Sequence, residues 1–143
     1  MTCLLDVNVW MALAVVEHSH HTLALAWVQE DSTAELTFCR ITQMALLRLL
    51  SNPRAMSAGV LSPVSAWRVL DAFAHEDRVR FASEPPGLMN AWRDASQLHH
   101  TGVNFWTDTY LAAFAQAAGF TLVTCDRGFK KYPDLNVRLL GAS

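Results

Sequence analysis

Two short apolar runs near opposite ends of this chain each stop at an aspartate. Cys3-Leu4-Leu5 runs into Asp6, and Leu122-Val123-Thr124-Cys125 runs into Asp126. Apolar runs this short, bounded by polar turns, read as strands buried on both faces of a parallel sheet. Ligands of open α/β sheets gather outside the carboxyl ends of such strands. Asp108 adds a third acid, at the head of the amphipathic stretch Thr109 to Gly119. Acids from both ends of the chain and from a late helix can therefore meet at one sheet edge. Two like charges about 4 Å apart repel by about 1 kcal/mol in water and by about 4 kcal/mol at an effective dielectric near 20. Such a cluster persists only if it is protonated, paired with cations or holding a metal. Hard oxygen donors of one sign point to a metal site.

The rest of the composition narrows the class. With 143 residues, 52% hydrophobic and 17% charged, the chain suits one domain over 1–143 with a packed core and no disorder. No apolar run approaches the roughly 18–20 residues of a membrane span. Asp6 interrupts the first apolar segment and no basic region precedes it, which argues against a secretion signal. Cys3, Cys39 and Cys125 are odd in number and lack C-x-x-C spacing, so reduced, buried thiols in a cytoplasmic protein are expected. A net charge of −2 excludes a general basic coat for nucleic acid. It does not exclude a nuclease, because metal ions neutralise an acidic site locally. Nine of the eleven basic residues are arginines, whose fork suits phosphate.

Strands are expected at Thr2 to Leu5, Leu36 to Cys39, Val79 to Phe81, Thr121 to Thr124 and Val137 to Leu140. Helices are expected from Val9 to about Val16 and from about His20 to Gln29. A third follows over Gln43 to Leu50, capped by Thr42, with Met44, Leu47 and Leu50 facing inward. Pro63 starts a fourth, which reaches about His75, and Leu88 to His99 is a fifth. The last carries Asp108 and stops at Gly119. Trp27, Trp67 and Trp92 read as core. The histidines His18, His20 and His21 lack a matching Cys or acid pair and read as solvated, and His99-His100 closes a helix. Alternating strands and helices call for an α/β fold with a mainly parallel sheet and helices on both faces.

The segments Leu4-Leu5-Asp6-Val7-Asn8-Val9, Asp108-Thr109-Tyr110-Leu111-Ala112-Ala113 and Leu122 to Phe129 together resemble a PIN domain. More narrowly, the chain resembles the VapC-type ribonuclease toxins of bacterial toxin–antitoxin pairs, and the likeness runs from end to end. It implies a PIN-like α/β domain with a mainly parallel sheet of four to five strands. It also implies three or four acids holding Mg²⁺ or Mn²⁺, an RNA substrate, a cognate antitoxin and a homodimer. Asp6, Asp108 and Asp126 match three of the family's acidic positions. The fourth usually carries Glu, and here Gln43 stands in its place. Gln43 offers a neutral carbonyl that can bond water but adds no charge.

Phosphodiester hydrolysis needs a nucleophile at neutral pH and stabilisation of developing charge, which divalent ions supply. Asp6 is expected as the central ligand, Asp108 as a second ligand, and Asp126 as the holder of outer water or a second ion. Asn8 can orient Asp6 or a water through its amide, and Thr124 or the backbone near Asp126 can do the same. Arg48, Arg127, Lys130 and Lys131 are candidate phosphate contacts, and Trp10, Trp106 and Phe129 are candidate stacking platforms for RNA bases. Two other classes compete. A phosphoryl-transfer protein of the receiver or phosphatase type would need a second acid near Asp6 and a strand-end lysine. Asn8 stands two residues after Asp6, and no Lys precedes Lys130. The other is a catalytically weakened PIN-fold module that binds antitoxin or nucleic acid without cleaving, for which Gln43 is the sequence support.

Overall fold

A computed structural model of the chain describes residues 1–97 and 102–141. Five strands form one sheet: β1 Thr2–Leu5, β2 Glu35–Phe38, β3 Val79–Phe81, β4 Thr121–Thr124 and β5 Val137–Leu139. Their order across the sheet is β3-β2-β1-β4-β5, and every neighbouring pair is parallel. The sheet is thus wholly parallel, with β1 at its centre. Cys3 to Leu5 are completely buried, as a strand covered on both faces requires. The chain builds outward from β1 through β2 to β3 on one side. It then returns to add β4 and β5 on the other. The reversal lies between β1 and β4, and this is where an open α/β sheet leaves a crevice at its strand ends.

Helices cover both faces. The first core gathers Trp10, Met11, Trp27, Leu46, Leu50 and Leu70 against one face. They come from α1 Val7–Ala14, α2 His21–Glu30, α3 Arg40–Leu50 and α4 Pro63–Ala74. Its centre is the indole of Trp10, stacked on Phe38 with 3.6 Å between ring centroids, while Phe73 meets it edge-on. On the other face, α5 Leu88–Ala95 and α6 Phe105–Ala118 enclose Leu88, Tyr110, Leu111 and Phe114 over Leu4 and Leu122. A 3-10 helix, Arg127–Lys131, closes that core with Phe129 and Tyr132. None of the three cysteines is bonded to another, and Cys3 and Cys39 are buried. No helix of the described residues is long and apolar enough to cross a membrane.

Several local expectations shift. The first helix begins at Val7 because Asp6 itself caps it: Asp6 Oδ1 accepts the Val7 amide at 2.7 Å. Thr42 lies inside α3, with Cys39 as the cap. The Thr42 hydroxyl accepts the Cys39 amide at 3.0 Å and donates to the Cys39 carbonyl at 2.9 Å. This earlier start turns the inward face to Thr42, Leu46 and Leu50, at i, i+4 and i+8, and leaves Met44 exposed. Trp67 is also exposed, on the outer side of α4, while Ala66 and Leu70 face in. The three early histidines are partly covered rather than solvated. A ring nitrogen of His21 sits 2.7 Å from the Ala12 carbonyl, and His18 Nδ1 accepts the His20 amide at 3.0 Å. The expected helix end at His99-His100 lies outside the described residues.

The contrast between two large aromatics gives a test. Phe38→Ala removes the partner of the Trp10 stack and should lower stability by about 3–5 kcal/mol. Trp67→Ala, on an open helix face, should change it by under about 0.5 kcal/mol. Urea denaturation followed by circular dichroism measures both.

Candidate active site

The site is built where β1 and β4 end side by side. Asp6 immediately follows Leu5, and its amide continues the ladder by donating to the Val123 carbonyl at 2.9 Å. Its backbone is extended, so the carboxylate turns back over the first turn of α1. Asp6 Oδ2 accepts the Thr124 hydroxyl at 2.8 Å from the neighbouring strand end. That same hydroxyl oxygen accepts the Asp126 amide at 3.0 Å and lies 3.5 Å from the Asn8 side-chain nitrogen. Asn8 Oδ1 in turn accepts the Cys125 amide at 3.2 Å. Asn8 and Thr124 therefore bind the two strand ends together and aim Asp6. Asp126 caps the 3-10 helix, its Oδ1 accepting the Gly128 amide at 2.8 Å.

Asp108 reaches this edge from the first turn of α6. It is half-buried, and no hydrogen bond reaches its carboxylate among the described residues. Burial, followed by the charges of Asp6 and Asp126, raises its pKa from 3.8 to about 6, against a lowering contribution from Lys131. Asp6 is also raised. Burial is the main cause and Asp126 adds to it, while the Thr124 and Val7 hydrogen bonds pull the other way. The three acids thus share one field, two from strand ends and one from the first turn of α6.

The donor set is the one a hard cation uses. Asp6, Asp108 and Asp126 offer carboxylate oxygens, and the nearby Cys125 thiol is held protonated by burial and by Asp6. Among the described residues no three or more His, Cys, Asp or Glu side chains converge into a ready-made metal cage. A hard divalent ion takes carboxylate oxygens and keeps waters of its own. The residues fit such an ion.

The other expected site residues divide. Gln43 ends the first turn of α3, where its Oε1 accepts from Arg40 at 2.6 Å and makes no bond to an acid among the described residues. Arg40 itself is exposed and stacks over Phe81 at 4.7 Å. It is a cation near the strand ends that no sequence signal marked. Arg48 stands eight residues further along α3, about 12 Å up the helix axis from Arg40. Lys131 is the cation whose charge acts on Asp108, while Arg127 and Lys130 are exposed beside it. Two stacking candidates are corrected: Trp10 and Phe129 are fully buried because each fills a core, whereas Trp106 is exposed. Tyr132 was missed. Its hydroxyl is buried with no hydrogen-bond partner, and burial, then Asp108 and Asp126, raise its pKa to about 12.

Known proteins are similar to this chain over most of its length. The PIN domain family matches residues 3–135. Ribonuclease VapC41 of Mycobacterium tuberculosis is 40% identical over 142 residues, covering 96% of this chain and 97% of that protein. Ribonuclease VapC29 of the same organism is 36% identical over 132 residues, covering 90% and 88%. Among solved structures, the Rickettsia felis VapBC2 complex bound to promoter DNA superposes with a TM-score of 0.72 at 17% identity, over 98% of this chain and 99% of that one. VapC20 of M. tuberculosis, a toxin that cleaves the sarcin–ricin loop, gives 0.63 at 17% identity, over 95% and 98%. A match over nearly the whole domain, with relatives this similar from end to end, identifies the chain as a PIN-domain protein of the VapC ribonuclease family.

Proposed function

We propose that this chain is a divalent-cation-dependent endoribonuclease, the toxin of a toxin–antitoxin pair, working through Asp6, Asp108 and Asp126. The observation that carries the reading is the meeting of these acids at the β1/β4 switch point, where Asp126 raises the proton affinity of Asp6 and both raise that of Asp108. Bound Mg²⁺ or Mn²⁺ would supply an activated water and stabilise charge on the phosphoryl oxygens. Asp6 provides the fixed anchor, because Thr124 and the Val7 amide hold both of its oxygens in place. Asp108, with no hydrogen bond of its own, provides the carboxylate most available to a cation. Asp126 holds the outer edge of the cluster. Lys131, whose charge acts on Asp108, and Arg40 would meet RNA phosphates, and Gln43 would act through its amide rather than a charge. The weakened, binding-only reading rests on Gln43 alone and makes the opposite forecast for cleavage.

For the partner, a groove of about 650 Å³ opens between α1, α2 and α4, lined by Trp10, Leu13, Leu25, Val28, Val69 and Phe73. It is apolar and suits the amphipathic segment of an antitoxin, inserted through anchors at regular spacing. A homodimer is part of the same reading, with the exposed apolar side chains Val64 and Trp67 of α4 available to a second copy.

Asp6→Asn and Asp108→Asn should each lower RNA cleavage about a thousandfold or more, equivalent to about 4 kcal/mol of transition-state stabilisation. Cleavage of a fluorescent single-stranded RNA with Mn²⁺ measures this, and full activity in either variant would overturn the assignment. In EDTA, Asp108→Asn should melt above the wild type at pH 7 by up to about 1 kcal/mol, after allowance for solvent screening. A carboxyl whose folded pKa lies above its unfolded value stabilises below the unfolded pKa, and that contribution is lost as pH rises through the folded one. The gap should therefore close as pH falls from 7 through about 6 toward 4. Leu25→Glu, which puts a charge at the apolar groove, should weaken antitoxin binding at least about tenfold without changing cleavage by the free toxin. Calorimetry with the purified antitoxin tests it, and unchanged affinity would move the antitoxin elsewhere.

A further inference from the structure

Beside the acids lies a side chain whose polar atom has nothing to do. Tyr132 is only 6% exposed, and its hydroxyl makes no hydrogen bond among the described residues. A buried hydroxyl left in this state costs free energy, so a partner is expected for it. Its surroundings indicate which one. In a 3-10 helix, side chains three residues apart eclipse each other. Phe129 and Tyr132 stand at i and i+3, with Tyr132 closing the turn that Asp126 opens. The Phe129 and Tyr132 rings are 6.0 Å apart, consistent with one shared face. Across from it, Asp108 shares its face of α6 with Leu111 and Ala112, at i+3 and i+4. Both of these lie in the same buried cluster as Tyr132 and Phe129. Both acids act on the phenol, and Asp108 is the stronger of the two charges. Asp108, for its part, has a carboxylate with no donor among the described residues.

We propose that Tyr132 is a positioning residue for Asp108: when a divalent cation occupies the acid cluster, the phenol O–H donates to the Asp108 carboxylate and fixes the oxygen that carboxylate presents. This rests on the metal-dependent reading above. Carboxylates that hold metals are themselves held by hydrogen bonds, and loss of such a support typically weakens metal binding 10–100-fold. Asp6 has its supports in Thr124 and Val7, and Asp126 has the Gly128 amide. Tyr132 supplies what Asp108 lacks. The Lys131 ammonium, 5.5 Å from the phenol ring, keeps a positive charge at the same spot.

The test is a double-mutant cycle on the full chain, free of antitoxin, read by calorimetric titration with Mn²⁺ alone and by melting in EDTA. Tyr132→Phe should weaken Mn²⁺ binding about tenfold or more while the metal-free protein melts at the same temperature or higher, since the orphaned hydroxyl is gone. In an Asp108→Asn background the same substitution should change Mn²⁺ affinity no further. Unchanged affinity in Tyr132→Phe overturns the proposal, as does an equal loss in both backgrounds or a fall in metal-free melting temperature. Wild-type protein that takes up no Mn²⁺ would overturn the metal-dependent function itself, and is a different result from wild-type binding that Tyr132→Phe leaves intact.

Discussion

The structure depends on keeping a carboxylate at the end of a completely buried central strand. Removing Asp6 from water penalises its charge, and the neighbouring acids penalise it further. The fold answers with directed hydrogen bonds. The amide of the first helical turn and the hydroxyl of Thr124 each take one oxygen, while the main chain of Asp6 stays in the ladder with β4. Those requirements fix much else. Thr124 must end β4 level with Asp6, so the β1–β4 register, with Leu5 opposite Val123, cannot slip. A slip of one residue would also turn every side chain of the strand to the opposite face. Asn8 then has one place to go, across the gap to Thr124 and Cys125.

The two faces of the sheet do different work for that edge. On one side the stack of Trp10 on Phe38 ties the start of α1 to β2, and so holds the helix that Asp6 caps. On the other, α6 runs across β1 and β4 and delivers Asp108 from its first turn. Neither acid is borne by a free loop. Acids carried on rigid elements do not need to be ordered when a ligand arrives, and the repulsion among them is already present in the folded chain.

Much of this was legible in the primary structure because it rests on short-range rules. The buried runs before Asp6 and Asp126 declare strands, and β1 and β4 fall at the expected residues. Three acids in strand-end and helix-start positions declare the cluster. What escaped depends on contacts across the chain. Cys39 is not a usual helix cap, so the start of α3 was placed late and its inward face mis-phased at Met44. Trp67 carries the same apolar signature as Trp27, and only packing decides that one is covered and the other open. Trp10 and Phe129 lie close in sequence to the acids, but each fills a core rather than the cleft. The Arg40 bond to Gln43 and the orphaned hydroxyl of Tyr132 have no sequence pattern at all, since an aromatic in a core position gives no hint of where its polar tip will point.

The hydrogen bond from Thr124 to Asp6 spans 118 positions of the chain, and this has a bearing on how the protein is made. A ribosome delivers β1, β2 and β3 early, but the centre of the sheet stays open on one side until β4 is synthesised. At about 5–20 residues per second, the interval between Asp6 and Thr124 lasts about 6–24 seconds. Throughout it the nascent chain has no Asp126, no clamp on Asp6 and a bare edge where β4 belongs. A chain that stops before Leu122 lacks β4, Thr124 and Asp126, and with them the clamp on Asp6. The edge is completed only by about the last sixth of the polypeptide, after most of the domain has been made.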